Sequence, residues 1–366
     1  MHKRVVFTGG GTAGHVFPGL AVIETLGEHG YRDVVWIGSS GGMERGLVEN
    51  HGIRFYGVPA GKLRRYLSIR NVIDVAKVFL GFVSALVLLL RLKPAAVFSK
   101  GGYVTVPVMA AAKLLGVPSV THESDSDPGL ATRINALFVD RVLLSFDAST
   151  AYFSPRQRDR CVIVGNPVRK DLAAGSAAKG RAFLGFGEER PVVFFVGGSL
   201  GSAQINRLVG DMLDGLLGQC YVVHQRGAHA APRENGNGYV SLEFIGGEYA
   251  DVLAAADLVV CRAGAGTLWE LALTKKPAVL IPLPSSGSRG DQERNARRFA
   301  ERGAAVVFEE ADAVADRLEA EIVRLLENPK ERTRMGTAAS SFDASGAADR
   351  IAAMLANVME GRGWTL

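Results

Sequence analysis

Two stretches of the chain set backbone N–H groups and polar side chains where an anionic ligand needs them. In the first, Val5-Val6-Phe7-Thr8 passes into Gly9-Gly10-Gly11-Thr12-Ala13-Gly14-His15; in the second, Val192-Val193-Phe194-Phe195-Val196 passes into Gly197-Gly198-Ser199-Leu200-Gly201-Ser202. Glycines after a strand let backbone approach a ligand closely, and a following helix aims its positive end at the same point, which suits a diphosphate. Gly9, Gly11 and Gly14 also satisfy the G-x-G-x-x-G spacing of a dinucleotide turn. That reading needs an acid at the end of the next strand to hold the ribose, and the strand ends Ile37-Gly38-Ser39-Ser40-Gly41, so a nicotinamide-dependent oxidoreductase is disfavoured. His15 closes only the first loop, at a helix start whose dipole disfavours the imidazolium. It is either a base or hydrogen-bond partner, or a capping residue.

Further clusters follow other strands. In Ser99-Lys100-Gly101-Gly102-Tyr103 the lysine either reaches a phosphate oxygen or is a solvated residue of a turn. His122-Glu123-Ser124-Asp125-Ser126-Asp127-Pro128-Gly129 ends a strand in ionisable groups, at the end where open α/β sheets bind ligands. Asp125-x-Asp127 resembles a metal pair, but a proline and a glycine follow at once and Asp caps helices, so no metal is expected. Cys261-Arg262-Ala263-Gly264-Ala265-Gly266-Thr267-Leu268-Trp269-Glu270 reads as strand, small-residue loop and helix. Glu270 there either chelates two ribose hydroxyls or is an exposed helix-start carboxylate. Gln292 and Asn295, spaced i, i+3, share a helix face and suit sugar hydroxyls.

The elements that position these groups are apolar β-rich runs at 4–8, 34–38, 54–58, 95–99, 119–122 and 141–146, then at 192–196, 220–225, 240–245, 258–261, 278–282 and 304–308. Helical patterns fill the gaps. Runs apolar on both faces belong to parallel sheets covered by helices, so the fold class is α/β with two Rossmann-like doubly wound halves. The length of 366 residues suits two domains. Their boundaries are expected at 1–165 and 166–345, with a helix in 346–366 packing back on one of them.

A net charge of +5 fits an anionic substrate or a membrane surface. No zinc-finger spacing, stacking-aromatic motif or long basic run supports nucleic-acid binding. Cys161, Cys220 and Cys261 sit in apolar segments and read as reduced core residues of a cytosolic protein. The chain enters a strand within three residues, so no secretory leader is expected. The longest uncharged apolar run, 78–90, spans as a helix about 20 Å of a roughly 30 Å hydrocarbon core and cannot cross it.

Taken in order, G-G-T-A-G-H-V-F-P-G-L-A, K-G-G-Y-V-T-V-P, H-E, G-N-P-V-R, V-G-G-S-x-G-S, R-A-G-A-x-T-x-x-E and D-Q-x-x-N-A resemble the MurG family across nearly the whole chain. The resemblance implies a GT-B fold: two Rossmann-like domains facing across a cleft, the last helix crossing back to the first. It implies inverting transfer of GlcNAc from UDP-GlcNAc to the C4 hydroxyl of MurNAc in undecaprenyl-pyrophosphoryl-MurNAc-pentapeptide. Thr12, Ala13, Gly14, Asp125, Arg169, Ser199, Ile245, Ala265, Gly266, Thr267, Leu268, Trp269, Glu270, Gln292 and Asn295 would form the substrate contacts. Glu270 would hold the ribose and Ser199 the diphosphate. His15, with Glu123 second, would be the base, and Lys100, Gly101, Gly102, Tyr103 and His122 would line the acceptor side. No cofactor is implied.

Many members read H-E-Q-N where this chain has His122-Glu123-Ser124-Asp125, which marks a branch rather than a new activity, and Asp291 replaces a more usual histidine. Residues 72–92 are apolar nearly all round, with Lys62, Arg64, Arg65 and Arg70 before, Lys77 and Arg91 toward its two ends and Lys93 after. That pattern fits either a buried helix or peripheral attachment to anionic lipid at the cytoplasmic face of the inner membrane. Other cell-wall synthesis and division proteins are implied partners. The rival readings are another GT-B glycosyltransferase with a lipid acceptor and a non-catalytic sugar-nucleotide binder.

Overall fold

Short runs of fully apolar residues dictate the strands. The structure, a computed structural model, describes residues 3–61, 69–198, 200–228, 230–232, 234–285, 289–309 and 312–365, apart from the side chains of 69–75. Ser199, Lys62, Arg64, Arg65 and the Arg70 side chain lie outside this set. The chain divides into two units, Met1–Arg169 with Ser345–Leu366, and Lys170–Ala344.

The first unit holds seven parallel strands: β1 (Val5–Thr8), β2 (Val34–Ser39), β3 (Arg54–Val58), β4 (Ala96–Ser99), β5 (Ser119–Glu123), β6 (Arg141–Leu144) and β7 (Cys161–Ile163), in the order β3-β2-β1-β4-β5-β6-β7. The second holds β8 (Val192–Val196), β9 (Tyr221–Gln225), β10 (Tyr239–Leu242), β11 (Leu258–Cys261), β12 (Ala278–Leu280) and β13 (Ala305–Val307), in the order β10-β9-β8-β11-β12-β13. Every pairing is parallel, with Thr8 opposite both Ile37 and Ser99.

Alternation along β1 sends its side chains into two cores. Val5 and Phe7 pack with Val16, Leu20 and Leu26 beneath the helix Phe17–Glu28, and with Ile351, Met354 and Leu355 of the helix Ala347–Met359. Val6 faces the opposite layer, with Ala85 and Leu89 of the helix Ile69–Leu92 and Val108 and Met109 of the helix Thr105–Leu114. In the second unit Val193 and Phe195 pack with Ile205, Val209 and Met212 of the helix Ala203–Leu217.

The expected junction at 165 shifts to Arg169 because Asn166 is tied into the first unit, accepting the Ser124 hydroxyl at 2.6 Å. Arg350 of the last helix donates to the Val164 carbonyl at 2.9 and 3.1 Å, fixing that helix to the same unit. Leu355 is wholly buried. Leu355→Ala should cost the first unit about 2–5 kcal/mol, read as a lower urea midpoint by tryptophan fluorescence; an unchanged midpoint would show that the last helix is not part of its core.

Candidate active site

Open parallel sheets bind ligands beyond the carboxyl ends of their strands, at the point where strand order reverses. In the first unit that point lies between β1 and β4, and the loops leaving them are 9–12 and 100–103. In the second it lies between β8 and β11, followed by loops 197–201 and 262–264. Both glycine loops singled out in the sequence thus stand at switch points.

The two loops of the first unit press together. Lys100 N–H donates to the Thr8 carbonyl at 2.8 Å. Gly102 has φ +89°, and a Cβ there would stand 2.3 Å from the Gly10 carbonyl oxygen, so only glycine fits. Tyr103 lies against Gly11, its Cε1 3.2 Å from where a Cβ would be. His15 is half-buried at the end of the 3-10 turn Ala13–His15, its Nδ1 3.0 Å from the Thr12 hydroxyl. Its Nε2 lies 3.8 Å from the position of a Gly101 Cβ, so a side chain at 101 would crowd the ring. Thr12 and Gly14 are exposed and Ala13 is half-exposed. When Nδ1 donates to Thr12, Nε2 carries the lone pair a base requires.

Behind this surface the structure reassigns several expected ligand contacts. Glu123 is nearly buried, and both its oxygens are engaged: Oε1 accepts the Ser124 and Asp125 N–H groups at 2.9 and 3.1 Å, Oε2 the Gly129 N–H and Thr132 hydroxyl at 2.9 and 2.7 Å. It shapes the turn after β5. Half-exposed Asp125 belongs to that turn, and Asp127 pairs with Arg133. His122 is fully buried, its Nε2 2.9 Å from the Gly165 carbonyl; burial, then the Lys100 charge, holds its pKa well below the ordinary value. A neutral ring with its Nε2–H donated inward braces β5 against the chain after β7 rather than touching an acceptor. Lys100 is buried too, its ammonium donating to the Ser124 hydroxyl, and burial lowers its pKa to about 8. It is neither a solvated turn residue nor a phosphate arm.

In the second unit Ser202 caps the helix behind the second glycine loop, accepting Ile205 N–H at 3.4 Å. Buried Gln225, at the end of β9, donates to the Gly198 carbonyl at 3.3 Å and accepts the Ile245 N–H at 3.0 Å, bracing the loop against the segment that carries Ile245. Arg262 donates to Ser202 Oγ at 3.1 Å and to the Ile281 and Pro282 carbonyls.

The helix Ala265–Thr274 starts beside this arrangement, with Ala265, Gly266 and Thr267 in its first turn. Leu268 and Trp269, expected at the donor, are instead core residues, 0% and 1% exposed, with Trp269 edge-on to Phe342. Half-exposed Glu270 accepts the Tyr249 hydroxyl at 3.0 Å. Gln292 is half-exposed; its oxygen takes the Leu283 N–H at 2.9 Å, leaving its NH2 for a ligand. Asn295 does not share that access: it is 0% exposed, and its amide lies 3.5 Å from the Ala263 carbonyl, so it shapes the loop beneath the site. Half-exposed Arg169 is the last residue of the first unit.

Sequence reasoning passed over Thr132, Gln225, Tyr249 and Glu44. Each acts through a contact distant in sequence and carries no local motif. Among the described residues no three His, Cys, Asp or Glu side chains converge to hold a metal ion. Cys220 and Cys261 are buried free thiols whose pKa values burial raises, whereas Cys161 is half-buried.

The family model described as the glycosyltransferase family 28 N-terminal domain matches residues 5–144, and the C-terminal domain of that family matches residues 192–351. The UDP-N-acetylglucosamine--N-acetylmuramyl-(pentapeptide) pyrophosphoryl-undecaprenol N-acetylglucosamine transferase of Treponema denticola is 45% identical over 327 residues, 84% of each chain. The protein of that name from Legionella pneumophila (strain Lens) is 38% identical over 357 residues, 97% of each chain. The crystal structure of Acinetobacter baumannii MurG superposes with a TM-score of 0.76 at 26% identity, covering 97% of this chain and 100% of that one.

Buried Lys100 gives the site a pH signature. With a folded pKa of about 8 against 10.5 for the free side chain, unfolding takes up a proton between those values, so raising pH through the window stabilises the fold. Relative to Lys100→Met, the wild type should gain about 3 kcal/mol from pH 8 to 10.5 and show a flat difference below pH 8, measured as urea midpoints. A flat difference throughout would mean that the lysine is not buried as a cation at neutral pH.

Proposed function

The chain belongs to glycosyltransferase family 28, and on that premise we propose that it moves N-acetylglucosamine from UDP-N-acetylglucosamine to N-acetylmuramyl-pentapeptide on pyrophosphoryl-undecaprenol, the reaction for which its relatives are named. It is an N-acetylglucosaminyltransferase of GT-B fold. One observation carries the division of roles. Only the first glycine loop ends in an imidazole, held by Thr12, whereas the second leads into a capped helix start with Glu270 and Gln292 on the elements that follow.

The donor then binds to the second unit, its ribose on Glu270 and its diphosphate at the helix starts of Ala203–Leu217 and Ala265–Thr274, whose dipoles favour an anion. Arg169 adds positive charge toward the leaving UDP. The acceptor C4 oxygen attacks the anomeric carbon as the bond from that carbon to the UDP oxygen breaks. The hydroxyl proton passes to Nε2 of His15, and the configuration inverts from α to β. Helix dipoles and a guanidinium supply the stabilisation that a metal would otherwise give. His15 is favoured over Glu123 because the glutamate's lone pairs already serve four donors.

The membrane reading has its own support. Among the described residues no helix is long and apolar enough to cross a bilayer. The helix Ile69–Leu92 nevertheless turns Phe79, Leu80, Val83, Val87 and Leu90 outward, with Phe79 65% exposed, while Ala85 and Leu89 face the core. Exposed Lys77, Arg91 and Lys93 flank that stripe. An apolar strip edged with cations suits the surface of an anionic leaflet, giving peripheral attachment at the cytoplasmic face where the lipid-linked acceptor is presented.

His15→Ala should lower kcat by about 100- to 10,000-fold while leaving UDP affinity unchanged; unaltered turnover removes His15 as the base. Phe79→Asp with Leu80→Asp should weaken binding to phosphatidylglycerol vesicles at low salt at least tenfold, and equal binding by both proteins would refute attachment through this helix.

A further inference from the structure

The carboxylate read as the ribose contact is itself held. Glu270 stands on the helix Ala265–Thr274, and its Oε2 accepts the Tyr249 hydroxyl at 3.0 Å. Tyr249 opens a separate short helix, Tyr249–Ala255, 21 positions earlier in the chain. Its ring meets wholly buried Phe194 of β8 edge-on, with centroids 6.1 Å apart and planes at 68°. Just upstream, the Ile245 N–H is taken by Gln225 at 3.0 Å, so the segment entering the helix is fixed as well.

The helix that carries the tyrosine has little freedom to move. Asp251 accepts the Ser176 N–H at 2.7 Å. A Cβ at Gly175 would lie 2.2 Å from the Ala250 carbonyl oxygen, and one at Gly180 2.1 Å from that of Asp251, so backbone packs directly on backbone. At its far end Lys276, just past the Glu270 helix, donates to the Ala254 and Ala256 carbonyls at 2.7 and 2.8 Å. The two helices are tied at both ends, by the lysine at one and at the other by the tyrosine, where Glu270 emerges half-exposed. Phenylalanine would meet the packing against Phe194; what the hydroxyl adds is a donor to Glu270.

We propose that Tyr249 is a positioning residue for nucleotide recognition: its hydroxyl fixes the rotation of the Glu270 carboxylate toward the vicinal 2′ and 3′ hydroxyls of a ribose, and so sets a preference for a ribonucleotide over a deoxyribonucleotide. The inference rests on the reading of Glu270 as the ribose contact. A half-exposed glutamate samples several rotamers, and ordering it at binding costs affinity. A charge-assisted O–H···O bond orders it beforehand. Orientation matters as much as strength. A single hydroxyl can be met by a carboxylate in many rotations, each oxygen having two lone pairs, whereas two neighbouring hydroxyls on a five-membered ring are met together only when the carboxylate plane faces them.

The test measures dissociation constants of UDP and 2′-deoxy-UDP for the full chain, for Tyr249→Phe, for Glu270→Ala and for the double variant. Tyr249→Phe should weaken UDP about tenfold and 2′-deoxy-UDP less, so that the preference for the ribonucleotide falls roughly threefold or more. In the Glu270→Ala background the tyrosine change should do nothing further to UDP affinity, since the two residues act as one unit. A tyrosine with a merely structural role would weaken both nucleotides by one factor, and that result overturns the proposal, as does full additivity in the double variant. If Glu270→Ala loses the preference while Tyr249→Phe keeps it at the wild-type value, the proposal fails and the ribose reading stands. If Glu270→Ala itself keeps the wild-type preference, the ribose reading fails and takes the proposal with it.

Discussion

The site of the first unit depends on how closely two backbone loops can approach where the sheet reverses. β1 and β4 pair in register up to Thr8 and Ser99, so their loops emerge at one level. The following helices, Phe17–Glu28 and Thr105–Leu114, pack on opposite faces, the first with Phe7 and the second with Val6. The chain must therefore separate immediately beyond a point of close contact, and the contact between Gly102 and the Gly10 carbonyl is that point. Moved apart by one methyl group, the loops would no longer bring Gly101 and the His15 ring together. Neither loop is a motif in isolation; each has its shape because the other lies against it.

The two halves solve one stereochemical problem with different side chains. A loop rich in glycine loses more entropy on ordering than any other, and something must hold it. In the first unit the buried Glu44 carboxylate takes the Gly11 N–H at 3.3 Å and the Ser39 N–H of β2 at 2.7 Å, tying the loop to the neighbouring strand. In the second, Gln225 grips a carbonyl on one side and the Ile245 amide on the other, and Ser202 caps the helix. A neutral brace leaves the positive field of that helix start unopposed. The duplicated fold thus arrives at two different sites through which residue does the bracing.

Much of this was legible in the sequence, because parallel strands are apolar on both faces and stand out as short runs. The twelve runs correspond to twelve of the thirteen strands; β7, three residues long, is not among them. The glycine loops were legible for a related reason: a turn that requires φ near +90°, as at Gly102, admits almost no other residue. What the residues did not reveal is which side chains face inward. Lys100, His122 and Asn295 are of types usually found at surfaces or ligands, yet each is buried and spent on a main-chain or side-chain partner. Leu268 and Trp269 lie in the same small-residue segment as Gly266 and Thr267, but helical phase turns them into the core. Glu44 was the hardest to see, since it meets Gly11 across 33 positions of chain and its significance lies in glycines that precede it.

The departure at Ser124-Asp125 follows from the same logic. Lys100 brings a cation into the strand ends, where desolvation disfavours the charged form, and the neighbouring Glu123 and Asp125 carboxylates oppose that loss. Ser124 is short enough for the lysine ammonium to reach its hydroxyl, which in turn donates to Asn166 Oδ1. A glutamine at 124 would replace the hydroxyl that bridges Lys100 and Asn166, and an asparagine at 125 would remove one of the two charges that stabilise the lysine. The lysine before Gly101 and the serine and aspartate after Glu123 therefore form one solution, and changing any of the three alone leaves a buried charge or a buried hydroxyl badly matched. The carboxylate of Asp125, which looks repulsive to an anionic substrate when only its own strand is considered, is offset by the ammonium that the neighbouring strand supplies.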